Sequence, residues 1–117
     1  HVFNRRIDRH HPATLSRDTI HSLLRGELGF HGVVVTDDLL MGAIGKHYGL
    51  EHAAGLALGA GVDVLLIANN TPVGETTAAD RVLAAILNAL ATGTLQTSTV
   101  ESALARIQHL RARLGGF

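Results

Sequence analysis

The sequence contains no cysteine and no tryptophan, and its 117 residues include only two prolines, one tyrosine and three phenylalanines. The lack of cysteine excludes a disulfide framework and a thiolate metal site. The scarcity of aromatic residues means that the hydrophobic core must be largely aliphatic. Ten basic residues balance ten acidic ones, so the chain has no electrostatic footprint for nucleic acid or an anionic membrane.

No apolar run approaches the roughly 20 residues of a membrane-spanning helix, so we expect no membrane partner. The length suits one small domain, and a hydrophobic content of 46% is sufficient for a core. No signal peptide is visible, and the absence of cysteine fits a reducing compartment. We therefore expect a cytoplasmic protein.

The hydrophobic pattern predicts the element order helix, strand, helix, strand, helix, helix. The first three helices are expected at residues 17–27, 50–60 and 75–91, from apolar residues recurring at helical spacing. A capping box from Ser98 to Glu101 predicts the start of the fourth helix, which continues through Leu114.

Two short apolar runs, residues 32–36 and 62–67, are the predicted strands. Neither alternates with polar residues, which is typical of parallel strands covered on both faces. The intervening helix makes them a right-handed parallel βαβ unit, so the fold class is α/β. Gly55 and Gly59 give that helix a smooth surface, which we expect to pack closely against the sheet. Two strands alone do not make a stable sheet, so further strands must come from missing N-terminal residues, from another copy of the chain or from a small strand within residues 1–7.

Polar residues follow both predicted strands. Asp37 and Asp38 come directly after the first strand, and Asn69 and Asn70 come after the second. Because α/β enzymes place their chemistry at the carboxyl ends of parallel strands, Asp37 is in a suitable position for a catalytic carboxylate. On position alone, the favoured alternative is that one of the acids caps the following turn or helix. The asparagines either reach a ligand at the same edge or, as we favour, simply turn the chain.

The remaining polar candidates indicate no metal or cofactor. The eight histidines show no metal-ligand spacing, and we interpret His10, His11, His47 and His52 as surface or loop residues. The glycines near the second strand precede it and do not form the G-x-G-x-x-G pattern of a dinucleotide site.

Five stretches of the sequence resemble, in order and spacing, the C-terminal part of bacterial β-N-acetylhexosaminidases of glycoside hydrolase family 3. They are PATLS (12–16), LRGELGF (24–30), GVVVTDDL (32–39), MGAI (41–44) and AGVD (60–63). His1-Val2 also matches the family's Ala-His-Val segment, which lies just after an earlier barrel strand. The chain thus begins in mid-motif, and we expect that an N-terminal part is missing.

This resemblance implies that residues 1–117 are the C-terminal part of a (β/α)8 TIM-type barrel, with two parallel strands and about four helices. It implies that Asp37 is the nucleophile of a retaining, double-displacement mechanism, which passes through a covalent glycosyl-enzyme. Asp38 is then expected to point elsewhere and to serve as a turn or supporting acceptor. Met41 is expected either to line the pocket or to pack at a helix start.

The same resemblance places the acid/base, a histidine supported by an aspartate, on an upstream loop that this sequence does not contain. We therefore expect the isolated chain to be inactive, and to associate with itself or pair with the missing part. The implied substrate is a terminal β-linked N-acetylglucosamine on a peptidoglycan-derived glycan, in cell-wall recycling. The alternative is a non-catalytic α/β binding module or an inactive remnant.

Overall fold

The computed structural model describes residues 1–68 and 77–116. These residues form four α-helices, preceded by a short 3-10 turn and by a helix with the wider hydrogen bonding of a π-helix. The α-helices are α1 (Gly42–Gly45), α2 (Leu50–Ala60), α3 (Ala78–Thr92) and α4 (Thr97–Arg113), the 3-10 turn spans Ala13–Leu15, and the π-helix spans Asp18–Glu27. Because α2 contacts every one of the other elements, it is the centre of the fold.

The core forms around α2, whose alanines allow its neighbours to approach closely. Ala53, Ala54 and Ala57 have no solvent exposure. Larger side chains from the surrounding elements complete the same cluster: Leu15, Ile20, Leu39, Ile44, Leu50, Val62 and Val82. Each such side chain contributes about 1.5–3 kcal/mol when it is fully buried. The predicted aliphatic core is confirmed.

The two predicted strands do not form a sheet within the described residues. The first segment (residues 33–38) and the second segment (residues 62–68) meet at one isolated parallel bridge between Val35 and Val64. Main-chain hydrogen bonds flank this bridge, among them Thr36 N–H to Val64 O at 3.0 Å. The predicted parallel direction is confirmed, but the prediction of two parallel strands is corrected to a single bridge.

The regular main-chain ladder is interrupted where side-chain oxygens replace two of its acceptors. Leu66 N–H donates to Thr36 Oγ1 at 2.8 Å, and Ala68 N–H donates to Asp38 Oδ1 at 3.0 Å. In a regular parallel ladder these amides would donate to main-chain carbonyls. The polar residues at the carboxyl end of the first segment therefore interrupt the regular strand pairing and hold the second segment themselves.

Only one face of the paired segments is covered. Val34, Leu65 and Ile67 pack against the core. Val35 is 54% exposed and Leu66 is 47% exposed, so their side of the pair faces solvent. The prediction that both faces are covered is therefore wrong for the described residues.

A buried ion cluster fastens the amino-terminal end of the second segment. The Asp63 side chain has no solvent exposure, and it pairs with Arg25 of the π-helix at 2.8 Å and with Arg106 of α4 at 2.7 Å. Its Oδ2 also accepts a hydrogen bond from Val34 N–H at 2.8 Å. We call Asp63, Arg25 and Arg106 the Asp63 cluster. Because a carboxylate is tolerated in the interior only when its oxygens are paired, this cluster is structural.

The helix predictions are confirmed to different degrees. α2 begins and ends at the predicted residues. The first predicted helix is present but has π-type hydrogen bonding, as in Leu28 N–H to Leu23 O at 2.9 Å. The prediction that Gly55 and Gly59 permit close packing is wrong, because a Cβ at either position would meet no atom within 4 Å.

The helix caps differ from the prediction. Thr77 and Asp80 form a reciprocal capping box at the start of α3, which the sequence reading did not identify. The predicted capping box of Ser98 and Glu101 is wrong, because α4 begins at Thr97 and has no side-chain cap hydrogen bond. Ser98 therefore lies inside the first turn of α4 instead of before it.

Candidate active site

Asp37 lies at the carboxyl end of the first segment and is exposed to solvent. Its Oδ1 accepts a hydrogen bond from the main-chain N–H of Asp38 at 2.8 Å. Among residues 1–68 and 77–116, no group donates a hydrogen bond to its Oδ2. Asp37 does not cap α1, which begins after Met41 without a side-chain cap. An accessible carboxylate with a free oxygen is a suitable nucleophile.

Asp38 has the supporting role that the sequence predicts. Its Oδ1 accepts Leu40 N–H at 3.0 Å, which closes the turn after the first segment. The same oxygen accepts Ala68 N–H from the second segment. Asp38 thus joins the carboxyl ends of both segments, while the neighbouring Asp37 is left open to solvent.

The first residue of the chain also reaches this end of the segments. His1 Nε2 lies 3.0 Å from the main-chain oxygen of Asp38, and His1 Nδ1 lies 2.8 Å from Thr14 Oγ1. A carbonyl oxygen can only accept, so Nε2 must carry a proton. In the neutral imidazole, Nδ1 then accepts a hydrogen bond from the Thr14 hydroxyl. His1 is therefore a neighbour of the Asp37 site, a contact that the sequence did not reveal.

Met41 precedes α1, and its carbonyl accepts the N–H groups of Ile44 and Gly45. Met41 is 44% exposed, so it is partly covered and partly accessible at the start of α1. Both predicted alternatives, in which Met41 lines the pocket or packs at the helix start, stay predictions. The predicted turn residues Asn69 and Asn70 lie outside the described residues, so their role stays a prediction.

Three of the other histidines lie at a groove that Asp37 does not line. An open groove of about 560 Å³ between the N-terminal residues, α2 and α3 is lined by His10, His11 and His52, whereas Asp37 does not line it. Glu51 at the groove forms an ion pair with Arg81 at 2.6 Å. Throughout the described part of the chain, no three histidine or acidic side chains are grouped in a way that could hold a metal ion.

Asp8, at the same groove, is a fully partnered acid. Burial raises the pKa of its carboxyl, but hydrogen bonds from His10 N–H, the Ser16 hydroxyl and His11 N–H, and the charge of His11, together lower it to about 2. These contacts order the loop before the 3-10 turn. Asp8 is therefore a structural acid, in contrast to Asp37.

Two polar residues that hold the paired segments together were not predicted from the sequence. Asp63 could have been recognised, because a single acid within the apolar run from Val62 to Ile67 needs buried partners. Thr36 gave no comparable signal, since threonine is common in strands and its hydrogen bond to Leu66 depends on the register of the two segments.

A parallel pair of segments, joined by helices and ending in an exposed carboxylate, is typical of α/β enzymes of the barrel class. Comparison with known proteins makes this assignment specific. Residues 1–110 match the model of the glycosyl hydrolase family 3 N-terminal domain. The chain belongs to glycosyl hydrolase family 3, a family of glycoside hydrolases, as the resemblance of the sequence predicted.

Three relatives show the extent of the match. A secreted, uncharacterized glycosyl hydrolase from Arthroderma benhamiae is 36% identical and covers 92% of this chain and 30% of its own length. The structure of a family 3 β-N-acetylglucosaminidase from Paenibacillus sp. str. FPU-7 is 38% identical, with a TM-score of 0.77, over 87% of this chain and 18% of that one. The β-N-acetylhexosaminidase structure from Beutenbergia cavernae is 33% identical, with a TM-score of 0.78, over 91% of this chain and 30% of that one.

The chain thus spans less than a third of the length of these relatives. Their folds imply a TIM-barrel-type domain, of which this chain matches a segment. Among the described residues, no helix combines the length and the apolar character needed to cross a membrane.

Proposed function

We propose that this chain is the C-terminal part of the catalytic barrel of a retaining β-N-acetylglucosaminidase, with Asp37 as its nucleophile. The observation that carries the proposal is the exposed Asp37 carboxylate at the carboxyl end of the parallel pair, whose Oδ2 accepts no hydrogen bond from the described residues. The similarity to a β-N-acetylglucosaminidase and a β-N-acetylhexosaminidase supports the choice of substrate. The substrate in this proposal is a terminal β-linked N-acetylglucosamine of a peptidoglycan-derived glycan.

The proposed chemistry needs two groups. The ionised Asp37 attacks the anomeric carbon and forms a glycosyl-enzyme, while a second group protonates the leaving oxygen and later activates water. In retaining enzymes the two groups lie about 5 Å apart. Among the described residues, no acidic or histidine side chain forms a hydrogen bond with the Asp37 carboxylate. Following the resemblance to family 3, we assign the acid/base to an upstream loop of the barrel that this sequence does not contain.

The isolated chain is accordingly expected to be inactive. The test is release of 4-nitrophenol from 4-nitrophenyl N-acetyl-β-D-glucosaminide by the purified 117-residue chain. No release above that of an Asp37→Ala variant is expected. Release that depends on Asp37 would contradict the assignment of the acid/base to another part of the protein.

A hybrid enzyme tests the nucleophile itself. In the hybrid, this chain replaces the matching segment of the Beutenbergia cavernae β-N-acetylhexosaminidase, which supplies the rest of the barrel. The hybrid should hydrolyse the nitrophenyl substrate, and Asp37→Ala should lower kcat by at least about a thousandfold. Glu101→Ala, which removes an exposed acid of α4, is the matched control and should retain activity.

Azide makes this test specific for a nucleophile. In the Asp37→Ala hybrid, azide can enter the vacated space and attack the anomeric carbon from the side that the carboxylate occupied. The product should be the α-glycosyl azide, formed with inversion. An active hybrid that is insensitive to Asp37→Ala would contradict the proposal, and it would favour a binding module or an inactive remnant for this chain.

The cytoplasm is the proposed location of this activity, in line with a role in cell-wall recycling. One relative is a secreted glycosyl hydrolase, so the location needs its own test. Immunodetection in fractionated cells should find the whole protein in the cytoplasmic fraction, and recovery from the medium would contradict this part of the proposal.

A further inference from the structure

The residues on either side of Asp37 are both fixed by side-chain hydrogen bonds to the second segment. Thr36 is 5% exposed, and its Oγ1 accepts Leu66 N–H at 2.8 Å. Asp38 Oδ1 accepts Ala68 N–H at 3.0 Å. We call Thr36 and Asp38, with these two hydrogen bonds, the clasp.

The spacing of the clasp determines where Asp37 points. Successive side chains of an extended segment point to opposite sides, so two residues that are two apart point the same way. Thr36 and Asp38 both reach the second segment, and Asp37 between them is exposed to solvent. Because Thr36 and Asp38 are held against the second segment, the Asp37 carboxylate between them faces the solvent.

Hydrogen bonds fix both the N–H and the carbonyl group of the peptide unit that follows Asp38. Its N–H, which belongs to Leu39, donates to Leu66 O at 3.0 Å. Its carbonyl oxygen, which belongs to Asp38, accepts a hydrogen bond from His1 Nε2 at 3.0 Å. The N–H of the preceding peptide donates to Asp37 Oδ1 at 2.8 Å, so the carboxylate is held against a main chain that itself cannot rotate freely.

We propose that Thr36 and Asp38 are positioning residues that orient the Asp37 carboxylate for attack, with His1 as a third support. This inference rests on the proposed function, in which Asp37 is the nucleophile. The clasp residues act through the main chain and not on the sugar, since their side-chain oxygens bind amides of the same protein. Their loss leaves the carboxylate chemically intact but misplaced, and a misplacement of about 1 Å can reduce a rate about a hundredfold.

The first test measures kinetics in the hybrid enzyme described above. Thr36→Val keeps the shape of the side chain but removes the Oγ1 acceptor, and it should lower kcat about 10-fold to 100-fold, with KM within about twofold. Thr36→Ser restores the acceptor and should return kcat to within about threefold of the unaltered hybrid. A Thr36→Val hybrid with unchanged kcat, or a Thr36→Ser hybrid no faster than it, would overturn the inference.

The second test uses the chemical shift of a main-chain amide proton to detect the hydrogen bond of the Asp37 carboxylate. It is done on the 117-residue chain and needs no catalysis. In an Asp38→Asn background, the amide oxygen keeps both acceptor roles, and no carboxylate remains at position 38. The amide proton at position 38 then reports the titration of Asp37 through the hydrogen bond between them. When Thr36→Val is added, the pH-dependent change in the chemical shift of this amide proton should fall to less than half of its value in the Asp38→Asn chain. Adding Thr36→Ser instead should leave the change as it is in the Asp38→Asn chain.

The two tests separate the inference from the proposed function. If the active hybrid tolerates Asp37→Ala, the proposed nucleophile is wrong, but the chemical-shift experiment still decides whether the clasp orients Asp37. If the chemical shift of the amide proton at position 38 changes with pH as much in the Thr36→Val chain as without this substitution, the inference that the clasp orients Asp37 is wrong, whatever the activity of the hybrid. If Thr36→Val does not fold, Asp38→Ala replaces it, with Asp38→Asn as the variant that should rescue kcat.

Discussion

The two ends of the paired segments place an aspartate carboxylate in opposite environments. At the amino-terminal end of the second segment, Asp63 is fully buried and its two oxygens are paired with Arg25, Arg106 and a main-chain amide. At the carboxyl end, Asp37 is exposed, and within residues 1–68 and 77–116 it accepts one hydrogen bond, which comes from the next residue. An acid with every oxygen paired holds the fold together, whereas an acid with a free oxygen is available for chemistry.

The largest expected effect comes from breaking the Asp63 cluster. Asp63→Asn keeps the size of the side chain but leaves Arg25 and Arg106 without a negative partner in a buried site. The free energy of unfolding, measured by urea denaturation, should fall by about 3–5 kcal/mol. Asp37→Asn is the matched control at the other end and should change it by less than about 0.5 kcal/mol. Similar losses for both variants would remove the distinction between a structural acid and an available one.

A smaller change in the free energy of unfolding is expected at the helix caps. There a hydroxyl that caps a helix can be compared with one that does not. The Thr77 hydroxyl accepts Asp80 N–H at 3.0 Å, whereas Ser98 caps nothing at the start of α4. Thr77→Ala should lower the free energy of unfolding by about 1 kcal/mol. Ser98→Ala should lower it by less than about 0.5 kcal/mol. A larger loss for Ser98→Ala would show that the sequence-predicted capping box forms after all.

The smallest expected effect concerns Asp8, a second partnered acid. Its pKa of about 2 in the folded protein lies below the ordinary value of 3.8, so the charged form stabilises the fold. This contribution is complete above about pH 5 and is lost as the pH falls through 4 towards 2. Asp8→Asn should therefore remove part of the loss of stability between pH 5 and pH 2.5, on the order of 1 kcal/mol or less after solvent screening.

The measurement is urea denaturation of Asp8→Asn and of the unaltered chain at both pH values. Glu101→Gln, at an exposed acid of α4, is the control and should leave the pH dependence unchanged. The same pH dependence in the Asp8→Asn chain and the unaltered chain would contradict the structural role of Asp8.

The sequence predicted the parts of the fold that depend on local pattern. The bounds of α2 and the parallel direction of the two segments follow from the spacing of the apolar residues. The strands were overestimated, because Thr36 and Asp38 supply side-chain acceptors where the pattern suggests a main-chain ladder. The cap of α4 was misplaced by two residues, because Ser98 fits a capping motif locally but the helix has already begun at Thr97.

Only the central residue of the candidate site has a signal in the sequence. The position of Asp37 after an apolar run, together with the resemblance to family 3, predicts it as the nucleophile, and this role stays a prediction. The supports around it come from parts of the chain that are far apart in sequence, as in the contact of His1 with the Asp38 carbonyl. Such contacts depend on how distant parts of the chain meet in the fold, which the local sequence pattern does not encode.

In the proposed function Asp37, and not one of the partnered acids, forms the bond to the sugar. The most direct measurement treats the active hybrid with a fluorinated N-acetylglucosaminide that has a good leaving group and a slow second step, so that the glycosyl-enzyme accumulates. After trypsin digestion, tandem mass spectrometry should find the sugar on Asp37 within the peptide of residues 26–46. Label on Asp38 or Asp63, or stoichiometric inactivation with no label on this chain, would contradict the account.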